Sequence, residues 1–258
     1  MRLTCVIQST SYADMLALTL PINKVHFNSV VVYTRTGDEA TKQVCLKEQV
    51  LCVETDGFSK GGSKFNRGAV YNEFLRSELS HHSVLRWEPS WVVILDSDIV
   101  LPSDFRGQFE ALPPDREHFY GARRYNVETM DQWVAVRQNP NTLKNLTLFR
   151  GYGYGYLQIF HPSSSTFRSL WTKTHGNPYP EWMDGSTADW MFRNEWGDHP
   201  WDPYPPPPDH ALLHNVPEPC DPPRGLLKKL PFHVIHLGVT GINSTGRHTP
   251  LWDTSKTL

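Results

Sequence analysis

The stretch WVVILDSDIVLP, residues 91–102, decides how this chain is read. Trp91 to Leu95 form a nearly continuous apolar run, the pattern of a central strand covered on both faces. Two carboxylates, Asp96 and Asp98, stand directly at its C-terminal end. Ionised carboxylates this close repel one another unless a cation lies between them. Hard oxygen ligands suit Mn²⁺ or Mg²⁺, ions that also grip phosphate oxygens. The competing reading is a solvated strand end, where each Asp only turns the chain through local hydrogen bonds.

Upstream, strand and helix patterns alternate. Residues 2–8 read as a strand, 12–20 as a helix, 26–34 as a strand, 38–48 as a helix and 49–54 as a third strand ending in Thr55-Asp56-Gly57. Gly61-Gly62-Ser63 leads into a helix over 64–79, with Val70, Phe74 and Leu75 at helical spacing. Such alternation predicts a parallel sheet with right-handed crossovers, whose ligands bind beyond the carboxyl ends of the strands. That rule places Asp56, Asp96 and Asp98 at one mouth. The second half is less regular. Strands are predicted over 118–125 and 232–237, a glycine-tyrosine loop entering a strand over 151–161, and a short helix over 187–196 capped by Thr187. Proline is dense from 197 to 231, which predicts an irregular, partly extended segment.

Bulk properties exclude some classes. The 258 residues fit one large α/β domain or two small ones, and the net charge of −2 leaves no basic footprint for nucleic acid. Nine Trp suit sugar rings and core filling alike. Cys5, Cys45, Cys52 and Cys220 show no paired spacing, and Cys5 and Cys52 sit in strand-like runs, favouring buried thiols in a reducing compartment. No stretch reaches the length of a membrane span or a signal-peptide core, so a soluble, cytoplasmic protein is expected.

An Asp-x-Asp ending a central apolar strand resembles the GT-A glycosyltransferases. The resemblance implies one GT-A domain over 1–258, with a nucleotide-binding half at 1–102 and an acceptor-side half at 103–258. It implies a Rossmann-like mixed, mostly parallel sheet flanked by helices, and Mn²⁺ or Mg²⁺ held against the diphosphate of a UDP- or GDP-linked sugar. Asp98 is then the direct ligand, with Asp96 reaching the ribose or the metal through water. In HVIHLGVTGINSTGR, 233–247, the resemblance makes His236 a metal ligand from a late strand, with Arg247 clamping phosphate. His236 also reads as a core histidine beside a turn. In KFNRGAVYNEF, Arg67 and then Lys64 are candidates for the phosphate or base edge, or a solvated surface pair. In EWMDGSTADW, Asp189 is the candidate general base of an inverting enzyme, with Asp184 in reserve. Asp189 could equally hold a donor sugar or polarise its helix. Ser9, Thr10 and Asp56, at strand ends, are candidate nucleotide contacts.

The implied reaction moves a sugar from a nucleoside diphosphate donor to a hydroxyl of a glycan or other acceptor, with a lean towards inversion. Two rivals remain. A nucleotidyltransferase would make the nucleotide-sugar, but the first strand is followed by Gln8-Ser-Thr-Ser-Tyr12 rather than a glycine-rich phosphate loop. The other is a non-catalytic sugar-binding relative.

Overall fold

The computed structural model describes residues 1–63, 65–80, 90–149, 156–181, 189, 192, 195, 196 and 226–238. The expectations at Lys64, Asp184, Thr187, Arg247 and the 151–155 loop lie outside the described residues.

The first hundred residues alternate as expected. They run β1 (Leu3–Gln8), α1 (Ala13–Asn23), β2 (Ser29–Arg35), α2 (Glu39–Glu48), β3 (Leu51–Thr55), α3 (Arg67–Ser80) and β4 (Trp91–Asp96). Then come β5 (Ile99–Val100), α4 (Phe105–Ala111), β6 (Phe119–Val127), α5 (Met130–Gln138), β7 (Leu148–Phe149), β8 (Leu157–Phe160), α6 (Ser165–Lys173) and β9 (Leu227–Leu237). They form one sheet in the order β3-β2-β1-β4-β8-β6-β9-β5, with β7 paired to β6. Strands β1, β2, β3, β4, β6 and β9 run one way, and β5, β7 and β8 the other. This is a mixed, mostly parallel α/β sheet flanked by helices, Rossmann-like in its layout.

Alternation along β1 and β4 splits the core. Leu3, Cys5, Ile7, Val93 and Leu95 pack with Leu16 and Leu20 of α1 and Phe105 of α4. Val6, Val92 and Ile94 face the other way, onto Val70 and Phe74 of α3 and Phe167 of α6. Caps fix the helix starts. Asp38 accepts from the Thr41 N–H at 3.1 Å before α2, and Thr129 and Gln132 close a capping box at α5.

Helix α3 begins at Arg67, later than the predicted 64. Its first turn lies against 179–181. A Cβ on Gly68 would fall 2.3 Å from the Pro180 carbonyl oxygen, so only glycine permits this approach. Strand β9 corrects a second expectation: 227–231 is strand rather than irregular chain, because Leu227 and Leu230 are core residues. Pro231 fits there because the β6–β9 register breaks between Gly121 and Arg123. The sequence reading assigns no element at α4, α5, β7 or α6. Among the described residues no helix is long and apolar enough to cross a membrane.

Candidate active site

The turn at Ser97 and Asp98, between β4 and β5, is bolted to its surroundings by backbone hydrogen bonds. The Thr19 hydroxyl of α1 donates to the Ser97 carbonyl at 2.7 Å. The Asn23 side chain donates to the Ile99 carbonyl at 2.6 Å and accepts from the Leu101 N–H at 2.9 Å. The Leu237 N–H of β9 donates to the Asp98 carbonyl at 2.8 Å. Two buried polar side chains of a largely apolar helix therefore set the path of the Asp-Ser-Asp segment.

The turn sends its two carboxylates to different partners. Asp96 meets the guanidinium of Arg67, in the first turn of α3. The same guanidinium lies 3.1 Å from Oδ2 of Asp189 and donates to the Tyr71 hydroxyl at 2.8 Å. Arg67 is thus a buried cation shared by two carboxylates, with Tyr71 and Phe65 against it. Its pKa stays well above the ordinary range: burial disfavours the charge, and Asp189 and Asp96 overcome that. Burial raises the Asp96 carboxyl, with Asp98 adding to the rise and Arg67 opposing it. Asp189 is pushed up to about 7, first by burial, with Arg67 pulling down and Asp96 adding. Its carbonyl accepts from Gln158 Nε2 at 3.2 Å, and Gln158 in turn accepts from the Tyr179 hydroxyl at 2.8 Å. The second carboxylate oxygen of Asp189, Oδ1, is buried and has no hydrogen-bond partner.

Asp98 turns instead to His236 on β9, whose Nε2 lies 3.4 Å from its Oδ2. Burial pushes the Asp98 carboxyl up, but His236 and Arg124 more than offset this and its pKa is lowered. Asp98 and His236 are 6% and 3% exposed, and Asp98 Oδ1 and His236 Nδ1 have no hydrogen-bond partner. Buried polar atoms left unpaired cost free energy, so each calls for an explanation. A carboxylate oxygen and an imidazole nitrogen are a fitting donor set for Mn²⁺ or Mg²⁺. Among the described residues, no group of three or more His, Cys, Asp or Glu is arranged to hold a metal. Of the three ligands the sequence suggests, the structure joins Asp98 with His236 and gives Asp96 to Arg67.

The nucleotide candidates lie at strand ends as expected. Ser9 follows β1 and is buried; its N–H donates to the Tyr33 carbonyl at 3.0 Å and its hydroxyl has no partner. Thr10 is half-buried beside it. Asp56 follows β3 and accepts from the Thr36 hydroxyl at 2.8 Å. Arg67 departs from the solvated surface pair weighed for it, since its side chain is 11% exposed. Tyr71, Gln158, Tyr179, Thr19 and Asn23 were not singled out by sequence. For Tyr71, Gln158, Thr19 and Asn23 the signal is a polar group at a buried position of a helix or strand; Tyr179 lies in no such element and carries no periodic signal.

No family model matches the chain, and no curated protein matches it. Some solved structures are similar at low identity. They include mannosyl-3-phosphoglycerate synthase from Rubrobacter xylanophilus, at 12% identity and TM-score 0.36, over 48% of this chain and 41% of that one. Glucosyl-3-phosphoglycerate synthase from Mycobacterium tuberculosis is similar at 11% identity and TM-score 0.37, over 66% of this chain and 58% of that one. 4-Diphosphocytidyl-2C-methyl-D-erythritol synthase from Anaerococcus prevotii follows at 11% and 0.42, over 74% and 83%. The chain spans about half the length of the first two. Likeness of this degree decides neither reaction nor substrate.

Proposed function

We propose that this chain is a divalent-cation-dependent glycosyltransferase, moving a sugar from a UDP- or GDP-linked donor to an acceptor hydroxyl with inversion. The observation that carries the reading is Asp189. One of its oxygens is fixed by Arg67 at 3.1 Å, the other is buried without a partner, and its pKa stands at about 7. A general base needs a held carboxylate, an open lone pair and a pKa near the working pH, and Asp189 has all three. A structural helix-start Asp needs none of them.

The roles of the other residues follow from their partners. Arg67 keeps Asp189 ionisable and aimed, and its charge is spent on two carboxylates and Tyr71 rather than on a phosphate. Gln158 and Tyr179 brace the Asp189 backbone from below. Asp98 and His236 would hold Mn²⁺ or Mg²⁺, and the bound cation supplies charge stabilisation for the leaving diphosphate. Ser9, Thr10 and Asp56, beyond β1 and β3, are the proposed nucleoside contacts. The 1–102 half would then supply the nucleotide side with Arg67, Asp96 and Asp98, and the 103–258 half the acceptor side with Asp189 and His236. The nucleotidyltransferase reading gains nothing, because β1 passes to α1 through Ser9–Tyr12 with no glycine-rich loop.

The testing experiment is a donor-hydrolysis screen over a nucleotide-sugar panel with Mn²⁺. It is followed by NMR of the product anomer once a donor is found. Turnover of one UDP- or GDP-sugar with an inverted anomeric centre is expected. A retained anomer would remove Asp189 as the base, and no hydrolysis of any donor would count against the enzyme reading.

A further inference from the structure

Asp98 and His236 would supply two of the roughly six ligands that Mn²⁺ or Mg²⁺ takes, which leaves positions for waters, phosphate oxygens or a further protein donor. No third His, Cys, Asp or Glu joins them among the described residues. The neighbouring strand offers a different donor. Strands β6 and β9 run parallel with Asn126 opposite His236, and β5 places Ile99, the residue after Asp98, opposite His236 from the other side. Residues paired in this way lie on adjacent strands about 4.8 Å apart and project to the same face. Asn126 is 2% exposed, and neither its Oδ1 nor its Nδ2 has a hydrogen-bond partner. A primary amide with both ends buried and unpaired is rare, since each lost hydrogen bond costs on the order of 1–3 kcal/mol. Its cross-strand neighbour His236 lies 3.4 Å from Asp98 through Nε2, and Asp98 Oδ1 and His236 Nδ1 are likewise buried without a partner.

We propose that Asn126 is a third protein ligand of the cation site, its side-chain carbonyl oxygen joining Asp98 and His236. A neutral amide oxygen is a hard donor that suits Mn²⁺ and Mg²⁺ and adds no charge to a pocket already holding a carboxylate. It also leaves Asp96 with Arg67, outside the ligand set. The inference rests on the cation reading of Asp98 and His236, but not on the identity of the reaction.

The test is Mn²⁺ binding to the full chain, followed by electron paramagnetic resonance with Mn²⁺ alone, for wild type, Asn126→Leu, Asn126→Asp, Asp98→Ala and His236→Ala. Asn126→Leu should weaken Mn²⁺ by about 10-fold or more, the scale of losing a metal-site partner, and Asn126→Asp should bind more tightly than wild type. Thermal melting supplies a readout that a merely structural amide would not give. In EDTA, Asn126→Leu should melt at or above wild type, because an unpaired buried amide is gone. With Mn²⁺, the stabilisation seen in wild type should shrink at the same metal concentration, in step with the weaker binding. Wild-type affinity in both Asn126 variants, with binding lost in Asp98→Ala and His236→Ala, would overturn the role of Asn126 and leave the pair intact. Undiminished binding in all four variants would overturn the Asp98–His236 site as well. Should Asn126→Leu fail to fold, unchanged affinity in Asn126→Asp alone overturns the assignment.

Discussion

The two carboxylates of one Asp-Ser-Asp turn live in opposite electrostatic worlds. Asp96 is met by an internal cation, Arg67, which it shares with Asp189. Among the described residues Asp98 pairs with a histidine at 3.4 Å, with the Arg124 charge acting on it as well, and it keeps an unpaired buried oxygen. The Asp96 side is satisfied by the chain itself, while the Asp98 side is left open. Repulsion between the two aspartates, which reads in sequence as a demand for one shared cation, is met in the fold by a built-in arginine on the Asp96 side, and on the Asp98 side by the cation proposed above.

The contrast can be broken most sharply at Asp98. Asp98→Ala should nearly abolish donor turnover while the chain still folds, because the lost pairing with His236 is offset in part by relief of repulsion with Asp96. Retained specific activity together with lower stability would make Asp98 a structural residue. On the other side, Asp189→Asn should cut kcat by ~10²–10⁴-fold, the usual worth of a general base, with donor Kd unmoved. Weakened donor binding alongside the lost kcat would assign Asp189 to the donor sugar instead.

Arg67→Met sharpens the comparison through stability. Removing the shared cation strands two carboxylates, one of them 3% exposed, and breaking a buried pair in this way costs about 3–5 kcal/mol in urea unfolding. The same loss at His236→Ala should be smaller, because Asp98 already stands with an unpaired oxygen.

Asp189 also predicts a pH signature. Its folded pKa of about 7 lies above the ordinary 3.8, so between those values the folded state holds a proton the unfolded chain has released. Its contribution to stability is full below ~4 and declines as pH rises towards 7, where activity should climb as the base ionises. Asp189→Asn should flatten that decline. The smallest effect expected is at Thr19→Val, which removes the hydroxyl that holds the Ser97 carbonyl at 2.7 Å and should cost roughly 1 kcal/mol.

Sequence made one layer of this legible. The apolar run ending in Asp96 and Asp98, and the alternation before it, carry the parallel core of the sheet because burial on both faces and a strand-end site each leave a local pattern. His236 and Asp189 were visible as polar residues at strategic places. Their partners were not. That Arg67 would bridge Asp96 and Asp189 depends on α3 lying against 179–181, an approach allowed by Gly68 and by nothing in the periodicity of the helix. Thr19 reads as an ordinary polar break in the helix expected over 12–20, and Asn23 lies beyond that helix, until the turn they hold is seen. Asn126 falls one residue past the strand expected over 118–125, and only the β6–β9 register sets it beside His236. The early start of β9 was hidden because Pro231 argues against a strand, and a register break accommodates it.

The central claim, that Asp98 and His236 await a divalent cation which the donor diphosphate needs, is tested most directly by calorimetry. UDP and GDP are titrated into the full chain with Mn²⁺ and again after EDTA, with Asp98→Ala in Mn²⁺ as the third arm. One nucleotide should bind far more tightly with Mn²⁺, and Asp98→Ala should behave as the EDTA-treated wild type does. Equal affinity with and without the metal would contradict the account.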